Sequence, residues 1–103
     1  SIEAKMRRVI AERLPDPAFN ATALAESLAV SRRTLYRRAR KADMPTPAAL
    51  IRTMRLERAA TLLRDGAGTV SEVAYAVGYE SLAHFSRHFA QHFDQSPTAY
   101  TNQ

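Results

Sequence analysis

The chain has 103 residues, of which 46% are hydrophobic, so it is long enough for one domain or for two very small units that share packing. Fifteen lysine and arginine residues against ten acidic ones give a formal charge of +5, which favours phosphate groups, an acidic protein or an anionic membrane as partner. The absence of cysteine excludes disulfides, thiolate metal sites and cysteine nucleophiles, and no apolar run approaches the roughly 20 residues needed to span a bilayer.

Helices are predicted throughout the chain, because it holds only three glycines and no alternating run of β-branched residues. A first helix should run over about 2–14, with Met6 and Ile10 on its apolar face. Pro15 and Pro17 should end it, since proline clashes within a helix and disfavours helical backbone in the residue before it.

The next two helices should start at polar caps. Asn20 should cap a second helix over about 21–28, and Ser31 a third that runs to about residue 43, because both residue types accept hydrogen bonds from unpaired amides. On the third helix three residues at helical spacing are expected to face the core: Leu35, Ala39 and Ala42.

Strong start signals continue along the chain. Thr46-Pro47 combines a capping hydroxyl with proline at the first helical position, and predicts a fourth helix over about 47–65. Gly66-Ala67-Gly68 should stop that helix. Thr69-Val70-Ser71-Glu72 is a capping box that should open a fifth helix.

A sixth helix is predicted over about 81–93. Phe85, Phe89 and Phe93 recur on it at core spacing. Ser96-Pro97 then repeats the start signal of the fourth helix and opens a short closing turn.

The second half of the chain repeats the first. Leu24-Ala25 and Leu28-Ala29-Val30 recur as Val73-Ala74 and Val77-Gly78-Tyr79. Each copy reads as a helix, a turn with a small residue, and a second helix. That unit most often delivers its second helix into the major groove of DNA, so the repeat indicates two such helices.

The exposed side of the third helix is predicted to be basic. If its apolar residues face inward, the residues that point outward are Arg32, Arg33, Tyr36, Arg37 and Arg40. A basic face that includes an aromatic ring is typical of a helix that reads a DNA groove. The alternative is a solvated arginine face with no specific partner.

On the sixth helix His84, Arg87, His88 and Gln91 share one face and have groups that can donate to phosphates or base edges. The spacing of His84, His88 and His92 also suggests an alternative, a zinc or nickel site. His92 is expected to lie towards the core, and no acidic ligand is near in sequence, so no functional metal site is predicted.

No enzyme and no cofactor are predicted. The sequence lacks a glycine-rich phosphate loop, an HExxH pattern and a Gly-x-Ser-x-Gly pattern, and its aspartates sit at predicted helix ends. Two functions remain open on these residues: a DNA-binding module, or a helical protein-interaction module whose basic face binds an acidic partner.

The second half carries motifs that resemble the AraC/XylS-type DNA-binding domain of bacterial transcription regulators. The motifs are Arg55-Leu56-x-x-Ala59-x-x-Leu62-Leu63, Val73-Ala74-x-x-x-Gly78-Tyr79, His84-Phe85-Ser86-Arg87-x-Phe89 and Ser96-Pro97-x-x-Tyr100. The resemblance covers about residues 4–101. It implies an all-α fold of seven helices, with two homeodomain-like three-helix units over about 2–45 and 69–101, joined by a linker helix over about 47–65.

The resemblance also implies sequence-specific binding of double-stranded DNA, with helix-turn-helix motifs over about 21–42 and 70–93 in successive major-groove segments. Ser31 and Ser81 would cap the recognition helices and touch phosphates at the helix N-termini. The complete predicted DNA-binding set is Ser31, Arg32, Arg33, Tyr36, Arg37, Arg40, Ser81, Leu82, Ala83, His84, Arg87, His88 and Gln91.

Three positions depart from the family pattern. The family has phenylalanine where Ala39 stands, and glycine where Met44 and Asp94 stand. Glycine there allows a left-handed turn, which aspartate tolerates better than methionine does. We therefore expect the first unit to have the thinner core, while its arginines supply more of the base-specific contact and the second unit supplies more of the anchoring.

The expected partners are operator or promoter DNA and RNA polymerase, with no membrane. The chain is expected to be cytoplasmic. It does not begin with methionine, which suggests a fragment of a longer regulator with an effector or dimerisation domain upstream.

Overall fold

The computed structural model describes residues 1–102, and these contain seven helices and no strand. The helices are α1 (Ile2–Arg13), α2 (Ala21–Ser27), α3 (Arg32–Lys41), α4 (Pro47–Arg64), α5 (Val70–Ala76), α6 (Leu82–Phe93) and α7 (Pro97–Thr101). The predicted all-α fold is confirmed. Within the described range, no helix combines the length and the apolar character that crossing a membrane requires.

Side-chain caps fix where the helices begin. All the predicted caps are present, at Asn20, Ser31, Thr46, Thr69, Ser81 and Ser96. Thr69 and Glu72 form the complete capping box of α5: the Glu72 amide donates to Thr69 Oγ1 (3.1 Å), and the Thr69 amide donates to Glu72 Oε1 (2.9 Å). These hydrogen bonds hold the pKa of the Glu72 carboxyl below its ordinary value.

The chain divides into two compact units, of which the first comprises Ser1–Leu14 and Ala18–Met54. It contains α1, α2, α3 and the first part of α4. Side chains with at most 1% exposure form the centre of its core, namely Met6, Ile10, Leu24, Ala25, Leu35 and Leu50. Apolar burial thus holds one side of α3 against the unit.

The second unit comprises Pro15–Pro17 and the chain from Arg55 onward, and its core is aromatic. Phe89 is completely buried and lies at the centre of a cluster of rings. Its ring centroid is 5.6 Å from that of Phe85, 4.6 Å from that of Phe93 and 5.4 Å from that of Tyr100. Edge and tilted contacts of this kind add to the area that the rings bury, so the cluster fixes α6 and α7 against each other.

Arg55 ties the segment Pro15–Pro17 to α4 within the second unit. Its Nη2 donates to the backbone carbonyl of Asp16 at 2.9 Å. Burial lowers the pKa of Arg55 from its ordinary value, while the electrostatic influence of Tyr79 and Asp16 acts in the opposite direction.

The two helix-turn-helix turns have the same backbone geometry. Ala29 (φ 58°) follows α2, and Gly78 (φ 94°) follows α5. In the first turn the Val30 amide donates to the Ala25 carbonyl (3.1 Å), and in the second the Tyr79 amide donates to that of Ala74 (3.0 Å). This is the Schellman hydrogen bond, which requires left-handed backbone at the residue before the donor. The repeat seen in the sequence therefore extends to backbone conformation.

Two details of the prediction for α3 were wrong. Ala42 is exposed rather than inward, because α3 ends at Lys41 and the chain turns away before Ala42 can pack. The left-handed residue after α3 is Asp43 (φ 57°) and not Met44, whose amide instead closes the turn on Ala39 (3.0 Å). The left-handed conformation expected at Asp94 is confirmed (φ 59°).

The predicted position of His92 also needs correction. The side chain is exposed and does not lie in the core. Phe93 and Tyr100 fill the end of the aromatic cluster, and the His92 ring packs edge-on against Phe93 with centroids 4.6 Å apart. The last turn of α6 therefore presents this imidazole to solvent.

Candidate nucleic-acid interface

The exposed side of α3 carries a dense positive charge. Six of its ten residues are arginine or lysine, and none is acidic. Leu35 and Ala39 are 0% and 1% exposed, so they orient the helix. Arg33, Arg37 and Arg40 are exposed and lie three or four residues apart, which places them along one side of the helix. We call these three residues the arginine stripe.

Arg32 and Tyr36 extend the arginine stripe as a packed pair. Arg32 Nη2 donates to the Tyr36 hydroxyl at 3.1 Å, and the guanidinium carbon is 4.5 Å from the centroid of the Tyr36 ring. The cation–π contact and the hydrogen bond both restrict the arginine. A surface depression is lined by all five predicted α3 residues that follow the cap, Arg32, Arg33, Tyr36, Arg37 and Arg40.

Serine residues cap both second helices, as predicted. Ser31 Oγ accepts from the Thr34 amide (3.0 Å) and also donates to Thr34 Oγ1 (2.9 Å). Ser81 Oγ accepts from the His84 amide at 3.2 Å. Each cap satisfies one of the amides that a helix N-terminus leaves without an intrahelical partner.

The exposed side of α6 is much less charged. Ala83, His84, Arg87 and Gln91 are all exposed, and the last three lie three or four residues apart on one side of the helix. Leu82 is 37% exposed at the first turn. The structure therefore brings together most of the residues predicted on α6, with Arg87 as the only arginine or lysine of that helix.

His88 is the exception among the residues predicted on α6. It is half-buried, and its Nδ1 lies 2.9 Å from the hydroxyl of Tyr79 in the turn before the helix. Its ring also stacks on that of His84, with centroids 6.3 Å apart and planes 10° apart. His88 is thus held by the turn as well as by its own helix.

The metal alternative receives no geometric support. Across residues 1–102, no three histidine, cysteine or acidic side chains lie close enough together to hold a metal ion. His92 lies against Phe93 at the far end of α6, and His88 Nδ1 is directed to Tyr79.

Three further exposed residues, on α3 and α5, were not predicted from the sequence. Arg38 and Lys41 extend the positive charge of α3, and the density of basic residues over 37–41 was the signal that indicated them. Tyr75 on α5 is 54% exposed, a large apolar ring in contact with solvent. The sequence position could have indicated this exposure, because Tyr75 directly follows the buried pair Val73-Ala74 on a short amphipathic helix.

Comparison with known proteins identifies the family. A family model described as a helix-turn-helix domain matches residues 24–103. The chain is 36% identical over 78 residues to the HTH-type transcriptional activator RhaS of Escherichia coli, covering 76% of the chain and 28% of that protein. It is 31% identical over 99 residues to a protein of Formosa agariphila named Histidine kinase P4, covering 96% of the chain and 7% of that protein.

A solved structure agrees. The C-terminal domain of AraT, a response regulator from Geobacillus stearothermophilus, matches with a TM-score of 0.90 and 28% identity, covering 98% of this chain and 84% of that one. The chain spans well under two thirds of the two full-length relatives. Since the family model covers most of the chain and the fold and motifs agree with it, the chain belongs to the AraC-type family of helix-turn-helix DNA-binding domains.

Proposed function

We propose that this domain binds double-stranded DNA sequence-specifically through the exposed faces of α3 and α6, each in a major-groove segment. The observation that carries the proposal is the arginine stripe, Arg33, Arg37 and Arg40, on a helix whose opposite side is buried. Arginine has a planar group with several donors, which suits paired hydrogen bonds to guanine and to phosphate.

On α3 we assign base reading to Arg33 and Arg37. The cap residue Ser31 and the packed pair Arg32 and Tyr36 would contact the DNA backbone, because the Arg32 guanidinium is already restricted by Tyr36. Arg40 would add a phosphate contact farther along the helix. This arrangement supports the larger share of base-specific contact for the first unit.

On α6 we assign contacts to His84, Arg87 and Gln91, with Leu82 and Ala83 against thymine methyl groups at the start of the helix. One arginine against the six cations of α3 supports a weaker electrostatic contribution. The aromatic cluster around Phe89 supports the anchoring role of the second unit.

For the chain as a whole we propose one DNA-binding domain with helix-turn-helix units over about 2–45 and 69–101, and a linker helix over about 47–65. The two Schellman turns support the assignment of one motif to each unit. Successive major-groove segments are the arrangement implied by the family resemblance.

We propose a binding role for this chain and no reaction of its own. The kinase in the name of the Formosa protein is not carried over, since the match covers 7% of that protein. RhaS is named a transcriptional activator, which supports RNA polymerase as a partner. The match covers 28% of RhaS, which leaves room in a full-length regulator of that kind for an effector or dimerisation domain. A DNA-binding regulator of this kind acts in the cytoplasm, where bacterial DNA lies.

Salt-dependent binding to a preferred duplex and to its single-base variants tests the proposal. Observed affinity should fall steeply with salt, because each neutralised phosphate contributes about −0.9 to the log–log slope. Arg37→Ala should lose discrimination at one base pair by about 1–3 kcal/mol. Arg38→Ala is the matched control, since Arg38 is exposed but rotated about 100° from Arg37 around the helix.

The outcomes are distinct. Equal discrimination by the wild type and Arg37→Ala at every base pair would show that Arg37 reads no base. Undetectable binding to any duplex at low salt would overturn the DNA proposal and favour an acidic protein as the partner of the basic face.

A further inference from the structure

Tyr79 connects the second helix-turn-helix turn to the half-buried His88 of α6. Its amide donates to the Ala74 carbonyl at 3.0 Å, which fixes the backbone of the turn. Its ring meets that of Phe85 edge-on, with centroids 5.3 Å apart. The hydroxyl then lies 2.9 Å from His88 Nδ1. A residue with a rigid backbone and a packed ring therefore holds one nitrogen of an imidazole on the proposed DNA-binding helix.

The tautomer of His88 decides which atom donates in this contact. A phenol hydroxyl can donate its proton, and a neutral imidazole accepts through one of its two ring nitrogens. The ring of His84 stacks on that of His88, with centroids 6.3 Å apart, which restricts the imidazole further. The 2.9 Å separation fits a hydrogen bond from the phenol hydroxyl to the lone pair of His88 Nδ1.

We propose that Tyr79 is a positioning residue for DNA binding, whose hydroxyl donates to His88 Nδ1 and thereby keeps the imidazole proton on Nε2. A neutral imidazole has one donor nitrogen and one acceptor nitrogen, so fixing the acceptor also fixes the donor. Through His88, α6 then offers a donor suited to phosphate oxygens or to purine acceptors in the major groove. This inference rests on the proposed function of α6.

The first test needs no DNA. Nitrogen-15 NMR of the histidine rings at a fixed pH of about 7.5 distinguishes the two neutral tautomers. We expect His88 to carry its proton on Nε2, and Tyr79→Phe to shift it towards a mixture while the ring contact with Phe85 remains. Tyr100→Phe is the matched control, because Tyr100 is a second phenol of this unit whose hydroxyl accepts from Arg64 Nη1 at 2.9 Å. A wild-type His88 with its proton on Nδ1 would overturn the inference.

The second test measures DNA affinity at constant salt and pH. Tyr79→Phe should bind DNA about three- to tenfold more weakly than the wild type, because one well-placed hydrogen bond is lost. Tyr100→Phe should bind with unchanged affinity. In the His88→Ala background the Tyr79 substitution should have no further effect, since a positioning residue acts only through the group it holds. Additive losses in the double variant would overturn the inference, as would a Tyr79→Phe affinity equal to that of the wild type.

Arg87→Ala separates this failure from failure of the proposed function. If Arg87→Ala weakens binding and His88→Ala does not, α6 contacts DNA and the role of Tyr79 and His88 is wrong. If neither substitution weakens binding, the assignment of α6 to DNA is wrong and the inference falls with it.

Discussion

The two left-handed turns predict opposite effects for opposite substitutions. Ala29 (φ 58°) holds a conformation that costs a residue with a Cβ about 1–2 kcal/mol, whereas Gly78 (φ 94°) occupies the equivalent position at no such cost. Ala29→Gly should therefore relieve strain, and Gly78→Ala should introduce it. Glycine also has more conformational entropy than alanine in the unfolded chain, and this favours unfolding by about 0.4–1 kcal/mol. The entropy therefore reduces both the gain expected for Ala29→Gly and the loss expected for Gly78→Ala.

The net magnitudes follow from these terms. Ala29→Gly should stabilise by about 0.5 kcal/mol, and the exposed side chain of Ala29 means that little packing is lost. Gly78→Ala should destabilise by about 1–2 kcal/mol, because Gly78 is buried and its φ lies beyond the usual left-handed range. For a domain of this size, 1 kcal/mol corresponds to roughly 4–8 °C in Tm.

Urea denaturation followed by circular dichroism measures both changes. Gly66→Ala is the control for the conformational cost alone, since Gly66 has φ 65° and a Cβ built there meets nothing within 4 Å. Gly66→Ala should destabilise less than Gly78→Ala. A clear loss of stability in Ala29→Gly, or an unchanged midpoint in Gly78→Ala, would refute the equivalence of the two turns.

Three further substitutions test other parts of the structure. Phe89→Ala should cost about 3–5 kcal/mol in unfolding free energy, because Phe89 is fully buried among three rings; a loss below 1 kcal/mol would contradict that packing. Thr69→Ala should cost about 1 kcal/mol through loss of the α5 cap, which thermal melting would detect and an unchanged Tm would disprove. The pKa of Glu72 is lowered by folding, so its contribution is present above the ordinary carboxyl pKa and is lost as pH falls through the lowered value. Glu72→Gln should therefore flatten the acid limb of stability against pH, and an unaltered limb would show that Glu72 contributes nothing to it.

Local signals predicted the helix starts well, and the helix ends less well. A cap such as Thr69 acts on amides two or three residues away, so its effect can be read from the sequence. The end of α3 depends on which amide closes the turn on Ala39, and the structure uses Met44 with Asp43 left-handed. The family pattern placed that turn one residue later, at Met44, because it does not show that α3 already stops at Lys41.

In the candidate interface too, features set by spacing within one helix were predictable, and contacts between elements were not. The arginine stripe follows from helical spacing once Leu35 and Ala39 are assigned to the core. The contact between Tyr79 and His88 joins a turn to a helix, and no spacing rule for a single helix predicts it. The exposure of His92 was missed because the periodic pattern does not show that Phe93 and Tyr100 already fill that end of the core.

Hydroxyl-radical footprinting on a duplex selected from a random pool tests the central claim most directly. We expect two protected segments with the wild-type chain. The double substitution of Arg33 and Arg37 by alanine should remove the protection of one segment, and that of His84 and Arg87 should remove the protection of the other. Protection of a single segment, or a wild-type footprint in both double variants, would contradict the assignment of α3 and α6 to DNA.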